Sequence, residues 1–289
     1  MKLLLTGGSG FLGGHVLPRL LADGHTVFAL ARSATAAERV AALGATAIPG
    51  DLDDPASVDE AFAASGAVAL VSLASLGFGH APTVIAAAEE SGIKRAVFVS
   101  TTGVHTTVAA PSVAVRRAAE EAIKDSALAW TILRPSMIYG TPADRNMARL
   151  LAVLRRSPVV VVPGRGDRLQ QPVHVEDLAQ AVVASLTSEA AVEQTYDLAG
   201  PEPMTFRRHI ELAAEAVGRR PIMVHVPLQP AIAALRLYER AAPRPRLKAE
   251  QLERLTEDKA FDIAPARADL GFSPRPFAEG IREEAAMLS

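Results

Sequence analysis

The residues best suited to chemistry stand at the start of the chain. Thr6-Gly7-Gly8-Ser9-Gly10-Phe11-Leu12-Gly13 places glycine at 7, 10 and 13. The segment follows an apolar run at 2–6 and opens a stretch, 11–22, in which Leu12, Val16, Leu20 and Leu21 share one helical face. Glycine admits the positive φ of a tight turn. Without side chains, backbone N–H groups can approach a pyrophosphate, and the helix N-terminus supplies free donors and partial positive charge. Gly13 would let the helix pack closely on the sheet. A glycine triplet can also make an ordinary strand-to-helix turn. The strand before it and the helix after it favour a phosphate cradle formed by Gly7, Gly10, Phe11, Leu12 and Gly13.

Residues further along fit the rest of a dinucleotide. The second strand ends Leu30-Ala31-Arg32-Ser33, with no acid to hold the ribose hydroxyls. Arg32 can clasp a 2′-phosphate instead, so NADP(H) is expected over NAD(H), with NAD(H) left open. The alternative is a solvated loop arginine. Asp51, after the third strand, is placed to accept from the adenine amino group, with Leu52 against the ring. The alternative is a turn aspartate, although Asp53 or Asp54, just before Pro55, already suits the helix cap. Ala74 and Ser75 are small residues where the cofactor backbone would pass.

The elements that must hold these residues alternate. Apolar strands are read at 2–6, 26–30, 45–49, 67–73, 96–100 and 130–133, with helices at 11–22, 34–43, 55–63, 82–90 and 113–124. Near-continuous apolar strands separated by helices predict an α/β fold, a doubly wound parallel sheet of Rossmann type. After Pro135 the rhythm changes: helices at 147–156, 175–187 and 207–217, strands at 159–162 and 195–198, and a turn at 163–167. Segment 221–245 mixes apolar residues with five prolines. The expected organisation is a dinucleotide-binding domain over 1–140, to which 173–200 returns, with 141–172 and 201–289 forming a smaller, partly discontinuous C-terminal substrate lobe.

Composition narrows the chemistry. The 289 residues are 49% hydrophobic and 21% charged, with a net charge of −2 and no cysteine. Thiolate catalysis, disulfides and cysteine-ligated metal sites are excluded, and no other ligand cluster suggests a metal. The balance argues against a nucleic-acid partner. The basic, proline-rich stretch 236–246 lacks interleaved aromatics and reads as solvated or lobe-packing. The first apolar run is too short for a signal peptide, and none reaches membrane-span length. A cytoplasmic protein with no membrane partner is expected.

Taken together these residues resemble the short-chain dehydrogenase/reductase superfamily in its extended and atypical branch, the NAD(P)-dependent epimerase/dehydratase-like and nitrogen-regulator-like proteins. Thr6–Gly13 is similar to the T-G-x-x-G-x-x-G cofactor motif, and Asp51-Leu52 to the adenine contact. Ser100-Thr101-Thr102-Gly103-Val104 resembles the S-S-x-x-V segment. Leu133-Arg134-Pro135-Ser136-Met137-Ile138-Tyr139-Gly140 resembles L-R-P-x-x-I-Y-G, and Pro172-Val173-His174-Val175-Glu176-Asp177-Leu178-Ala179 resembles P-V-H-V-x-D-L-A. Tyr196-Asp197-Leu198-Ala199-Gly200 and Leu270-Gly271-Phe272-Ser273-Pro274 also have counterparts.

The resemblance implies a tyrosine and a lysine one helical turn apart, the tyrosine passing a proton as hydride moves, and a serine that polarises the carbonyl. Here the best register puts Ser112 at the tyrosine site and Arg116 at the lysine site, and no tyrosine lies between Ser100 and Arg134. Ser100 is kept and would orient a carbonyl. Arg116 could hold the ribose but is a poor proton shuttle. His105 titrates in a useful range but also reads as a solvent-facing loop residue. Tyr139 and His174 read as packing or lobe-joining residues. The expectation is an NADP(H)-dependent oxidoreductase acting on a small-molecule substrate, with Ser100, His105 and Arg116 as catalytic candidates and water, His105 or a substrate group as proton source. Leu76, Phe78, Met137 and Met147 would line an apolar pocket or belong to the core. Two alternatives stay open: a non-catalytic NADP(H) sensor or scaffold that binds an effector and a protein partner, and a nucleotide-sugar epimerase or dehydratase relative.

Overall fold

The computed structural model describes residues 1–144, 146–242 and 249–288. The first half alternates strictly: β1 (Lys2–Thr6), α1 (Gly13–Ala22), β2 (Thr26–Ala31), α2 (Ala34–Ala42), β3 (Thr46–Pro49), α3 (Pro55–Ser65), β4 (Ala69–Ser72), α4 (Ala81–Glu90), β5 (Arg95–Val99), α5 (Pro111–Lys124) and β6 (Ala129–Pro135). Then follow β7 (Ile138–Tyr139), α6 (Met147–Arg156), β8 (Val159–Pro163), β9 (Leu169–Gln170), β10 (Val173–His174), α7 (Val175–Thr187), β11 (Gln194–Leu198), β12 (Met204–Thr205), α8 (Phe206–Ala216), β13 (Ile222–Val226), α9 (Leu228–Ala241), α10 (Ala249–Glu253), α11 (Ala264–Leu270) and α12 (Phe277–Met287).

Seven parallel strands form the central sheet in the order β11-β6-β5-β4-β1-β2-β3. The order reverses beside β1, the switch point at which open α/β sheets bind ligands outside the carboxyl ends of their strands. Side chains alternate across the sheet. Leu3, Leu5, Val97, Val99 and Leu133 enter one core with α1 and α7. Leu4, Ala96, Phe98 and Ile132 enter the other, with α3, α4 and α5. Both faces are buried, which is why the strands read as continuous apolar runs rather than alternating ones. A third core, built on Tyr139, Leu151, Val162, Ile210, Phe277 and Ile281, belongs to the C-terminal segments.

Two local readings are corrected. The sixth strand does not stop at Leu133. It runs to Pro135, because β11 lies beside it and pairs Asp197 with Arg134 and Leu198 with Pro135. Segment 221–245, in which the prolines masked any element, holds β13, parallel to β8, and α9, with Pro227 at its N-cap and Pro230 in its first turn, positions where a missing N–H costs nothing. Residues 243–246 of the basic stretch lie outside the described residues. Among those described, no helix is long and apolar enough to cross a membrane.

The third core encloses an acid. Glu284 is fully buried and accepts the Gly140 N–H at 3.0 Å. Its other oxygen and Asp144 Oδ2 are both buried without a partner. Burial, and then Asp144, push the Glu284 carboxyl up to about 9. An unfolded chain loses this proton near the ordinary carboxylate value while the folded chain keeps it. Stability therefore falls as pH rises from about 4.5 to about 9. Glu284→Gln keeps the acceptor and supplies a permanent donor. Thermal denaturation should show it stabilised by roughly 1–3 kcal/mol at neutral pH, with the gain vanishing near pH 4.5.

Candidate cofactor and substrate site

The glycine loop is tightly wound where β1 hands over to α1. Gly7 takes φ +73°, and a Cβ there would lie 2.9 Å from the Ala74 amide nitrogen. The Gly10 N–H donates to the Gly7 carbonyl at 3.0 Å. A Cβ on Gly13 would overlap the carbonyl oxygens of Gly7 and Gly8. Gly13 is thus required by the loop's own backbone rather than by the sheet. α1 begins after Leu12 with no side chain capping it, so its first turn remains available to an anion. The donor set fits a dinucleotide pyrophosphate.

Above the loop runs a cleft of about 900 Å³. Gly10, Phe11, Leu12, Ser75, Ser100 and Arg116 all line it. The Arg116 guanidinium donates to the Ser112 carbonyl at 3.2 Å and lies over Gly77, where a Cβ would meet it at 2.9 Å. Burial, and then the charge of Arg254, hold it below the usual arginine range. The Ser100 hydroxyl is already engaged: it donates to Glu120 Oε1 at 2.5 Å. Glu120 is buried and ion-paired to Arg134. Burial opposes the Arg134 charge, but Glu120 outweighs it and raises the guanidinium. Ser100 is therefore held rigidly, with lone pairs but no free proton for a ligand.

The remaining predicted residues separate. His105 lies not in this cleft but on an adjoining cavity of about 520 Å³. Its Nε2 is 2.9 Å from Asp197 Oδ2, and its ring packs against Phe261. The two cavities share Thr101, Ser136 and Asn146. Arg32 is 70% exposed, with Nη1 3.9 Å from Asp51 and 3.7 Å from Asp53. Asp51 also serves its turn, since its Oδ1 accepts the Asp53 N–H at 3.1 Å. The cap of α3 belongs to Asp54. Leu52 packs on the core. The Ser75 hydroxyl accepts from the Gly77 amide at 3.3 Å.

Of the four pocket-or-core candidates, Leu76 and Met147 are buried and Phe78 is exposed, while Met137 lines the adjoining cavity. Tyr139 is buried, and His174, also buried, packs against it edge-on and accepts from the Glu176 N–H.

Sequence reasoning missed several groups. His15 lines the cleft one turn beyond Phe11 and meets Glu176 at 2.5 Å, a contact across 161 positions that no local pattern reveals. Arg254 and Lys259 reach the adjoining cavity from far along the chain. Glu120 could have been found, since it stands one turn after Arg116 on α5.

A Rossmann domain whose phosphate cradle opens into a walled second compartment defines a dinucleotide-dependent class of protein. The chain belongs to the NAD(P)H-binding family, whose model matches residues 7–189. It is 28% identical to the 2-alkyl-3-oxoalkanoate reductase of Stenotrophomonas maltophilia, over 98% of each chain. It is 30% identical to the 4-hydroxy-2-methyl-3-oxo-4-farnesyl-3,4-dihydroquinoline-1-oxide ketoreductase of Stigmatella aurantiaca, over 95% of this chain and 92% of that one. The structure of the Citrobacter sp. triphenylmethane reductase superposes with a TM-score of 0.79 at 23% identity, covering 99% of this chain and 100% of that one. The protein is oxidoreductase-like and NAD(P)-binding.

Gly13→Val would force the loop open. We expect the variant to keep its circular-dichroism spectrum and lose nicotinamide-dinucleotide affinity by at least about a hundredfold in calorimetry, the equivalent of nearly 3 kcal/mol.

Proposed function

We propose that the protein is an NADP(H)-dependent oxidoreductase that reduces the carbonyl of a small, largely apolar molecule. One observation carries the reading: the cofactor cleft continues past Ser100 and Arg116 into a second cavity, through Thr101, Ser136 and Asn146. A walled compartment beside the reactive end of a bound nicotinamide is what a substrate needs and a nucleotide-only sensor does not. Met137 and Phe261 give it apolar walls. Both reductase relatives carry names that describe an oxo compound with an alkyl or farnesyl substituent, which supports the same substrate class.

When bound, NADPH supplies the hydride. The chain's residues orient and exclude. The glycine loop and α1 would hold the pyrophosphate, Arg116 would reach the ribose, and the rigid Ser100 would wall the place where the carbonyl lies. With no tyrosine available, His105 is the titratable side chain set to return a proton, held in orientation by Asp197. Arg32, drawn over the adenine end by Asp51 and Asp53, supports a preference for the 2′-phosphate. A second reading, an NADP(H) sensor, draws on the engagement of the Ser100 hydroxyl by Glu120.

The test is a panel of alkyl ketones and 3-oxo esters with NADPH, following loss of the reduced nicotinamide. A reductase oxidises NADPH with at least one member, and Ser100→Ala slows it about tenfold or more. Redox-selective binding without turnover would favour the sensor. Arg32→Ala should lower NADPH affinity about tenfold and leave NADH unchanged, a loss near 1.4 kcal/mol. Equal affinity for both cofactors in the unaltered protein would remove the NADP(H) assignment.

A further inference from the structure

Among the described residues, the second cavity holds a cation that no side chain pairs. Arg254 and Lys259 both line it. Arg254 pairs through Nη2 with Glu250 at 2.5 Å, but its Nε is buried with no partner. Its Nη1 lies over Gly103, 4.0 Å from where a Cβ would stand, and so faces the loop that follows β5. Among the described residues the Lys259 ammonium has no hydrogen-bond or ion-pair partner. Burial, and then the like charge of Arg254, push it down.

The acids on the same wall are already committed. Glu257 accepts from the Thr106 hydroxyl at 2.5 Å, the Thr107 amide at 2.7 Å and the Thr107 hydroxyl at 2.6 Å. These bonds outweigh its burial and hold it ionised. Asp258 accepts the Leu169 N–H at 2.9 Å and meets Arg168 at 3.3 Å. Two half-buried cations repel one another there, offset only in part by Glu257, and the Lys259 ammonium is left without a partner. An anion between them would give the Lys259 ammonium a charge-assisted hydrogen bond and screen it from Arg254.

Resting on the oxidoreductase reading for its role in catalysis, we infer that this cavity is a subsite for an anionic group of the substrate, a carboxylate or phosphate, held between Arg254 and Lys259. The substrate class narrows from apolar ketones to oxo compounds bearing an acidic group near the carbonyl. The anion lies by Arg254 and Lys259, the carbonyl points back through the shared wall of Thr101 and Ser136 toward Ser100, and the alkyl part lies along Met137 and Phe261. The acid group then sets which way round the molecule binds.

The test has a binding arm and a kinetic arm. Hexanoate, hexyl phosphate and hexan-1-ol are titrated calorimetrically into the full-length protein saturated with NADPH. One of the two anions should bind at least tenfold more tightly than the alcohol, and which of them does so tells a carboxylate from a phosphate. In Lys259→Gln, which breaks no partner contact, that advantage should shrink about tenfold with no fall in melting temperature. Turnover of 3-oxooctanoate should exceed that of its methyl ester in kcat/KM, and the ratio should fall in the variant. Anions that bind no better than the alcohol, or an advantage that survives Lys259→Gln, would overturn the subsite. Anion selectivity without turnover of any carbonyl compound would leave the subsite standing and defeat the oxidoreductase reading instead.

Discussion

The arrangement depends first on the buried ion pair between Glu120 of α5 and Arg134 of β6. Glu120 has almost no contact with solvent, and three separate donors converge on it: Arg134 Nε, Arg134 Nη2 and the Ser100 hydroxyl. Such a pair gains little net stability over apolar packing, yet removing one partner leaves a buried charge unanswered. Its consequence here is positional. It ties the helix that carries Ser112 and Arg116 to the carboxyl ends of two neighbouring strands, so the wall of the cofactor cleft and Ser100 are set by one interaction. The field of Asp197 reaches Arg134 as well, and Asp197 also orients His105. One chain of charges thus links both compartments.

A second set of joints fastens the later segments to the first half. Glu176, at the start of α7, takes both His15 and Arg19 of α1. Its neighbour Asp177 receives the backbone N–H and the guanidinium of Arg275, which also reaches Glu283 of α12. Gln171 donates to the Gly200 carbonyl and accepts from the Phe261 amide. The contacts of Glu176 and Asp177 converge on α7, which is held from both sides. The walls of the second cavity come from elements separated by well over a hundred residues, and these joints bring them together.

The chemistry follows from what these contacts leave free. The Ser100 hydroxyl has its proton committed to Glu120. What remains for a substrate is a set of fixed dipoles and cations around a walled space: the Ser100 oxygen, Arg116 at the cleft, and Arg254 with Lys259 beyond. On the proposed reading, positioning and charge are therefore the main means by which the protein would act on a bound carbonyl.

Much of this was legible in the residues. The apolar strands, the order of helices between them and the glycine turn are local patterns, and local patterns survive in a linear text: period-two burial on both faces, a helix start without a side-chain cap, glycine where a Cβ would strike a carbonyl. Asp51 and Arg32 could be named as candidates from their places after strands. What the chain did not disclose locally was decided by pairing at long range. β6 runs through Arg134 and Pro135 only because β11 lies beside it. Ser100 loses its free proton only because α5 brings Glu120 above it. Arg254 and Lys259 reach the second cavity only because the segment that carries them packs beside the loop after β5. Sequence specifies which faces are apolar and which turns are permitted, since those depend on neighbours a few residues away. Which charges are answered and which are left open depends on contacts between distant segments, and tertiary structure alone decides that.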